Sequence, residues 1–243
     1  MLSCLEVIKF MKNLPQHNPA VGMANGEVYR LRCSMKMGEF RKGDTSFVDD
    51  QDFLREYVTI QEITLVSPHR CYHLWKNALG AKSVSGDVAQ VGIYKGGSAR
   101  MIADAVGVSK KVFLFDTFEG LPSHSGLDGM YKGDFSDTSL EKVQELFKDD
   151  ENVTVVKGLF PQSAEGVIDD HKFAFVYLDV DLYESNKNSL EYFYPRMSKG
   201  GVIMIDDYGE KHLVGIQKST DEFFADKKEK PVVTTRFQCR IQF

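Results

Sequence analysis

The chain has 243 residues, a length that suits one α/β domain with additions. Its 42% hydrophobic and 27% charged residues are typical of a globular protein, and its net charge of -5 argues against the broad basic face of most nucleic-acid-binding proteins. The four cysteines are too scattered for a zinc site or a disulfide framework, and no stretch approaches the roughly 20 apolar residues of a membrane span. We therefore expect a cytoplasmic protein without nucleic-acid or membrane partners.

Residues 1–65 form a predicted helical extension with no strong hydrophobic periodicity. We expect two or more short helices and a loop across roughly 38–52, which acts either as a mobile cover for a ligand or as a solvated connector. The first residues lack the apolar core and cleavage site of a signal peptide. The aromatic residues of the extension are compatible with a homodimer interface, although most of the 17 phenylalanines are expected in the core.

A helix is predicted over 69–79, because Ser67-Pro68 is a typical helix start and apolar residues follow at helical spacing. Gly80 is the expected terminator of this helix. We place the start of the main domain, 66–243, at this point.

Strand and helix patterns then alternate to the end of the chain. The predicted strands are GDVAQVGIY, KKVFLFD, NVTVVKG, KFAFVYLDVD and GGVIMIDD, and the helices between and after them are GGSARMIADAV, SLEKVQELFKD, a short PQSAEGVID, ESNKNSLEYFYPRM and VGIQKSTDEFFAD. Two final strands, VVTTRF and CRIQF, have no helix between them. The pattern predicts a Rossmann-like α/β fold, with a mostly parallel sheet and an antiparallel hairpin at one edge.

The first strand ends in a glycine-rich turn, GIYKGGS, beginning at Gly92. Glycines allow a tight turn and close approach to a ligand, and the following helix start offers free N–H groups, although the same turn also serves plain strand–helix packing. The next strand ends in Asp116, roughly 20 residues further on, where an acid can accept hydrogen bonds from ribose hydroxyls or simply cap a helix. The pair indicates an adenosine-containing ligand. The spacing is neither GxGxxG nor GxxxxGK[ST], which disfavours NAD and a P-loop.

Three carboxylates lie at the ends of the fourth and fifth strands: Asp179, Asp206 and Asp207. The ends of parallel strands share one edge of the sheet, so these side chains are expected to meet there. Buried carboxylates repel each other unless a cation lies between them, and oxygen ligands suit Mg²⁺ or another divalent cation. The alternative is that two of the acids are helix N-caps.

His212 and Glu210 lie shortly after the Asp pair. Either is a candidate general base beside Asp179, but a lone histidine in a polar segment is more often a surface residue.

The chain resembles the macrocin O-methyltransferase family over residues 66–225. The similar segments are VSPHR, GDVAQVGIYKGGSA, FDTFEGLP, GDFS, LDVDLYES and IDDYG, with GIQKSTDEFF similar in character. The resemblance implies a class I methyltransferase fold, S-adenosylmethionine as donor, a sugar hydroxyl as acceptor and Mg²⁺ dependence. Both a nucleotide-linked sugar and a glycoside fit the acceptor.

The resemblance also implies roles for individual residues. Asp179, Asp206 and Asp207 would hold the metal, and Asp179 would double as general base. His212 is a catalytic candidate by its position near the Asp pair and not by the resemblance. The cofactor-binding residues would be Gln90, Gly92, Tyr94, Gly96, Gly97, Ser98, Asp116, Thr117, Phe118, Gly120, Leu121, Gly158 and Asp179, close to Pro122.

The chain departs from the family at two places. Gln90 stands where the first strand usually carries an acid. Family members often carry a histidine directly after or near the Asp-Asp-Tyr run, whereas here three residues separate Tyr208 from His212. A phenol or catechol O-methyltransferase is the main alternative, since it uses the same metal chemistry. A cofactor-binding scaffold without activity and a NAD-dependent oxidoreductase are less consistent with the three acids and with the glycine spacing.

Overall fold

The computed structural model describes residues 46–123 and 126–243. The predictions for residues 1–45, including the first helices and most of the loop at 38–52, lie outside these ranges. Where that loop enters the described part it is already ordered into a 3₁₀ turn, Ser46–Asp49, and helix α1 begins at Gln51. The helix begins there because the Asp50 side chain caps it, accepting a hydrogen bond from the Phe53 N–H.

Seven strands form a single sheet in the order β3-β2-β1-β4-β5-β7-β6. The strands are β1 (Asp87–Val91), β2 (Val112–Asp116), β3 (Val153–Lys157), β4 (Phe173–Leu178), β5 (Met197–Tyr208), β6 (Val232–Thr235) and β7 (Phe237–Gln242). Strands β1 to β5 are parallel, and β7 is antiparallel to both of its neighbours. The predicted parallel sheet and its antiparallel edge hairpin are confirmed.

The described residues contain six α-helices, which cover both faces of the sheet. They are α1 (Gln51–Ile60), α2 (Pro68–Ala81), α3 (Gly97–Val106), α4 (Leu140–Leu146), α5 (Tyr183–Phe193) and α6 (Val214–Phe224). All six residues of β4 are buried, with Phe175 and Tyr177 facing α1 to α3 and with Val176 and Leu178 facing α5 and α6. None of these helices, within the part of the chain described, is long and apolar enough to cross a membrane.

Two predictions about individual elements are wrong: the end of one helix and the type of another. Helix α2 runs through Gly80 to Ala81, because Gly80 stays helical while the buried Ala78 and Ala81 continue its packed face. The segment after Pro161 forms only a 3₁₀ turn, Gln162–Ala164, and Gly166 with φ +73° then turns the chain away.

Helix α1 belongs to the predicted N-terminal extension, yet it packs on the domain. Its apolar face, Phe53, Leu54, Tyr57 and Ile60, is buried in the same core as α2 and α3. This packing places the chain that follows α1 at the carboxyl ends of the strands.

Candidate active site

A cleft of about 280 Å³ opens where the winding of the sheet reverses, between β1 and β4. Ligands of open α/β sheets bind at this position. Twelve of the residues proposed from the sequence line it: Gly92, Tyr94, Gly97, Ser98, Asp116, Thr117, Gly120, Leu121, Gly158, Asp179, Asp206 and Asp207. The topology therefore brings the glycine turn, the Asp116 strand end and the three carboxylates into one cavity.

The glycine turn is dictated by contact between two strand ends. Gly92 has φ +80°, and a Cβ atom there would lie 1.8 Å from the Asp179 carbonyl oxygen. The Asp179 N–H donates to the Val91 carbonyl at 3.0 Å, which ties the end of β4 to the end of β1. The turn thus holds Asp179 beside the start of α3.

Asp116 organises two turns at once. Its Oδ2 accepts hydrogen bonds from the backbone N–H groups of Ile93 (2.8 Å) and Tyr94 (2.9 Å), and its Oδ1 accepts one from the Phe118 N–H (2.7 Å). A carboxylate can accept about four hydrogen bonds, so acceptor capacity remains for a ligand. Asp116 lies on the cleft wall, where that capacity is accessible.

Gln90 is fully buried behind the glycine turn and does not line the cleft. Its Nε2 donates to the Gly92 carbonyl and to the Ser98 hydroxyl, each at 2.8 Å. The amide therefore fixes the turn from within.

Asp206 and Asp207 face the same site although they are consecutive in β5. Successive side chains of a regular strand point to opposite faces. Here the pairing with β7 is irregular between Asp206 and Tyr208, and Asp207 has φ +58°. Such a bulge re-aims a side chain, and in this case it turns Asp207 toward its neighbour.

The three predicted carboxylates meet. One oxygen from each of Asp179, Asp206 and Asp207 lies within 4.8 Å of the others. Burial raises the pKa of Asp179 well above its usual range, and the negative charges of Asp206 and Asp207 add to that rise. Burial and the charge of Asp206 raise the pKa of Asp207 in the same way. These groups therefore carry mutual repulsion that a cation would relieve.

A cation of the chain itself contacts two of them. Arg70 Nη1 donates to Asp206 Oδ2 at 2.7 Å and to Asp207 Oδ1 at 3.0 Å. Arg70 was not among the residues proposed from the sequence. It comes from α2, before the first strand, and only the three-dimensional packing of α2 against the sheet brings it to the acids.

Asp181 is a second cleft residue that was not assigned a role from the sequence. It has φ +59°, lines the cleft, and its pKa is raised to about 7 by burial and by the charge of Asp206. The signal in the sequence is its position two residues after Asp179, close to the carboxyl end of the fourth strand, where ligands of such sheets bind.

Five residues proposed from the sequence do not line this cleft: Gln90, Gly96, Phe118, Glu210 and His212. Gly96 precedes α3 with φ +87°, and Phe118 is buried. His212 and its neighbour Lys211 are exposed, while Leu213 next to them lines the cleft. The structure therefore gives the His212 ring no contact with the site.

A loop covers one side of the cleft with Met130 and Phe135. The loop is fixed by Asp128, which is buried and accepts hydrogen bonds from the N–H groups of Tyr183 (3.1 Å) and Gly215 (2.9 Å). These donors lie at the first turns of α5 and α6, where a negative charge is favourable. The loop is therefore anchored to both helices that flank the carboxylates.

Comparison with known proteins identifies the family. The model of the family Macrocin-O-methyltransferase (TylF) matches residues 60–235 of this chain. An 8-demethyl-8-(2,3-dimethoxy-alpha-L-rhamnosyl)-tetracenomycin-C 4'-O-methyltransferase from Streptomyces olivaceus is 33% identical over 53% of this chain and 55% of its own length. A demethyldecarbamoylnovobiocin O-methyltransferase from Streptomyces niveus is 33% identical over 52% of this chain and 54% of its own length. The matched part thus spans about half the length of these relatives.

Solved structures agree on the fold. The O-methyltransferase NovP superposes with a TM-score of 0.64 at 23% identity, covering 90% of this chain and 99% of NovP. This likeness shows the Rossmann-like class I methyltransferase fold expected from the sequence.

Proposed function

The chain belongs to the macrocin O-methyltransferase family, and on that premise we propose that it transfers a methyl group from S-adenosylmethionine to a hydroxyl of a sugar carried on a glycoside. The observation that carries the proposal is the meeting of Asp179, Asp206 and Asp207 in the same cleft as the Gly92 turn and Asp116. The cleft thus combines a site suited to a nucleoside with three neighbouring carboxylates.

S-adenosylmethionine has a nucleoside part and a charged amino-acid part, and the cleft offers groups for both. The backbone turn at Gly92 permits close approach of the donor, and Asp116 keeps free acceptor capacity for ribose hydroxyls. The acids Asp179 and Asp181 offer negative charge to a sulfonium and an ammonium group. Gln90 is buried behind the turn, so charge for the ammonium would come from Asp181 in its place.

The donor set fits a divalent metal. Mg²⁺ takes oxygen ligands at about 2.1 Å, which places ligand oxygens up to roughly 4 Å apart. The three carboxylate oxygens lie within 4.8 Å of one another, close enough for side-chain movements to bring all three to one ion. Asp179, Asp206 and Asp207 would hold the ion, which when bound supplies positive charge that lowers the pKa of the acceptor hydroxyl.

Asp179 is the proposed general base. Within the described residues its carboxyl accepts no hydrogen bond, whereas Arg70 binds both Asp206 and Asp207. Asp179 would receive the proton of the acceptor hydroxyl as the oxygen takes the methyl group.

The charges of the cleft favour a neutral acceptor. Five carboxylates line it, from Asp116, Asp179, Asp181, Asp206 and Asp207, and among the described lining residues only Arg70 is basic. Arg70 is already paired with two of the acids. A nucleotide-linked sugar would bring a diphosphate toward this negative charge, so we place a glycoside ahead of it.

A phenolic acceptor is the second candidate. The wall formed by Leu65, Val66, Met130, Phe135 and Leu213 is apolar. Such a wall suits an aromatic ring, although it suits the apolar aglycone of a glycoside equally well.

Calorimetric titration with S-adenosylhomocysteine, in EDTA and then in excess MgCl₂, tests the donor. Micromolar binding in both conditions is expected; no binding by folded protein would refute the methyltransferase assignment. A radiolabelled methyl-transfer assay on glycosides, nucleotide sugars and phenols then identifies the acceptor class, and the glycosides are expected to be the methylated set.

Asp179→Asn tests the base. Because a general base contributes about 10²- to 10⁴-fold, turnover should fall by at least that factor while affinity for S-adenosylhomocysteine stays within a few fold. Asp226→Asn, at an exposed residue paired with Lys227, is the control and should be fully active. Near-normal turnover of the Asp179 variant would rule out the assigned role.

A further inference from the structure

We propose that Arg70 is the positioning residue of the metal site. Its guanidinium holds Asp206 and Asp207 in place and supplies the third positive charge that balances the three carboxylates when a divalent ion is bound. The inference rests on the proposed function, because it presupposes a metal among these acids.

A single nitrogen of Arg70 joins the two acids. Nη1 donates to Asp206 Oδ2 at 2.7 Å and to Asp207 Oδ1 at 3.0 Å. The Arg70 side chain is 12% exposed, and the acid side chains are 2% and 16% exposed, so water screens these contacts little. Such buried, charge-assisted contacts fix the orientation of both carboxylates.

The guanidinium also makes a hydrogen bond to the N-cap residue of its own helix. Arg70 Nε donates to the Ser67 hydroxyl at 3.3 Å, and that hydroxyl also pairs with His69 Nδ1 at 3.2 Å. Ser67 is buried at the N-cap position of α2, yet it makes no side-chain cap hydrogen bond. A residue placed to cap the helix therefore orients Arg70 instead.

Asp206 is fixed at both oxygens, because Gln238 Nε2 donates to its Oδ1 at 3.1 Å. Within the described residues, no hydrogen bond reaches Asp207 Oδ2 or the Asp179 carboxyl. Within that part of the chain, the oxygens of the three acids that accept no hydrogen bond are therefore both oxygens of Asp179, which Arg70 does not contact, and Oδ2 of Asp207, whose other oxygen Arg70 binds.

The charges of the three proposed ligands can be counted. When ionised, Asp179, Asp206 and Asp207 carry three negative charges, and Arg70 cancels one of them; Asp181, a further carboxylate of the cleft, lies outside this ligand set. The two that remain match a divalent cation, whereas without Arg70 the same ion would leave a net negative charge buried in the site. Residues that hydrogen-bond to metal ligands commonly change metal affinity by about 10- to 100-fold when removed.

The test measures Mn²⁺ affinity of the full chain by electron paramagnetic resonance, together with affinity for S-adenosylhomocysteine and the melting temperature. Arg70→Met should weaken Mn²⁺ binding about 10- to 100-fold. Arg70→Lys keeps the charge but loses the Nε contact with Ser67, and Ser67→Ala keeps the guanidinium but removes that same contact. Both should show smaller losses, and they remain informative if Arg70→Met does not fold.

Arg100→Met is the matched control. Arg100 also joins two aspartates, Asp104 and Asp150, and its side chain is 16% exposed, but it does not line the cleft. Its loss should lower the melting temperature and leave Mn²⁺ affinity unchanged.

The outcomes separate this inference from the proposed function. Unchanged Mn²⁺ affinity in folded Arg70 variants would overturn the positioning role alone. Tighter binding in Arg70→Met would also overturn it, because Arg70 would then compete with the metal. Failure of the unaltered chain to bind Mn²⁺ would overturn both the metal and the role of Arg70.

Discussion

Asp116→Asn tests how far the proposed cofactor end of the cleft depends on one side chain. The carboxylate accepts three backbone hydrogen bonds, from Ile93, Tyr94 and Phe118. In the variant, one oxygen can still accept from the first two, but the amide NH₂ must face the Phe118 N–H. One hydrogen bond is therefore lost, and the other two change from charged to neutral.

The size of the effect follows from these contacts. A hydrogen bond to a charged group contributes about 1.5–3 kcal/mol and a neutral one about 1 kcal/mol. Loss of one bond and weakening of two should lower the free energy of unfolding by about 2.5–7 kcal/mol. With a urea m-value of about 3 kcal/mol/M, the unfolding midpoint should fall by about 1–2 M.

Urea unfolding followed by circular dichroism measures this change, and calorimetry measures S-adenosylhomocysteine binding by the same protein. Binding should weaken at least tenfold, because the turns after β1 and β2 lose their common anchor. Asp137→Asn is the control: Asp137 contacts Tyr94 and Lys95 of the same turn, but it is exposed. A midpoint for Asp116→Asn equal to that of the control would refute the reasoning.

Two further substitutions test other parts of the cleft. Gly92→Ala places a Cβ atom 1.8 Å from the Asp179 carbonyl oxygen, so it should abolish S-adenosylhomocysteine binding; Gly107→Ala, also at positive φ but with no atom within 4 Å, should bind normally in the same calorimetric assay. Equal affinities for the two variants would contradict the strand contact. Asp128→Ala removes two hydrogen bonds to helix N-termini and should cost about 3 kcal/mol of stability in urea unfolding. It should also raise the acceptor KM several-fold with unchanged S-adenosylhomocysteine affinity, and an unchanged KM would show that the loop does not shape the acceptor site.

The periodicity of the sequence predicts most of the fold. Strands of consecutive apolar residues, such as Phe173–Leu178, alternate with amphipathic helices, and this pattern is sufficient for a parallel sheet covered on both faces. It also places the carboxylates correctly, because each lies at or directly after the carboxyl end of a parallel strand, and these ends share one edge of the sheet. The end of α2 was missed, since glycine ends a helix only where the chain adopts the left-handed conformation, and Gly80 remains helical.

The fine structure of the site depends on contacts that local patterns do not encode. Arg70 meets its partners across 136 and 137 residues of chain. The turn of Asp207 toward Asp206 needs a bulge, and its φ of +58° is one of several positive values on the cleft wall, with Tyr94, Phe135 and Asp181. Such backbone conformations persist only where surrounding packing imposes them, so they follow from the folded structure and not from local sequence.

The charge of the cleft links its two ends. The acids exceed the single basic residue of the described wall, and an excess of buried negative charge costs free energy unless cations enter. A divalent ion and the sulfonium of the proposed donor both relieve it. Methyl transfer converts the sulfonium to a neutral thioether, so the electrostatic attraction at that end of the cleft weakens once the reaction has occurred. The same carboxylates that favour binding of the donor would therefore hold its product less tightly.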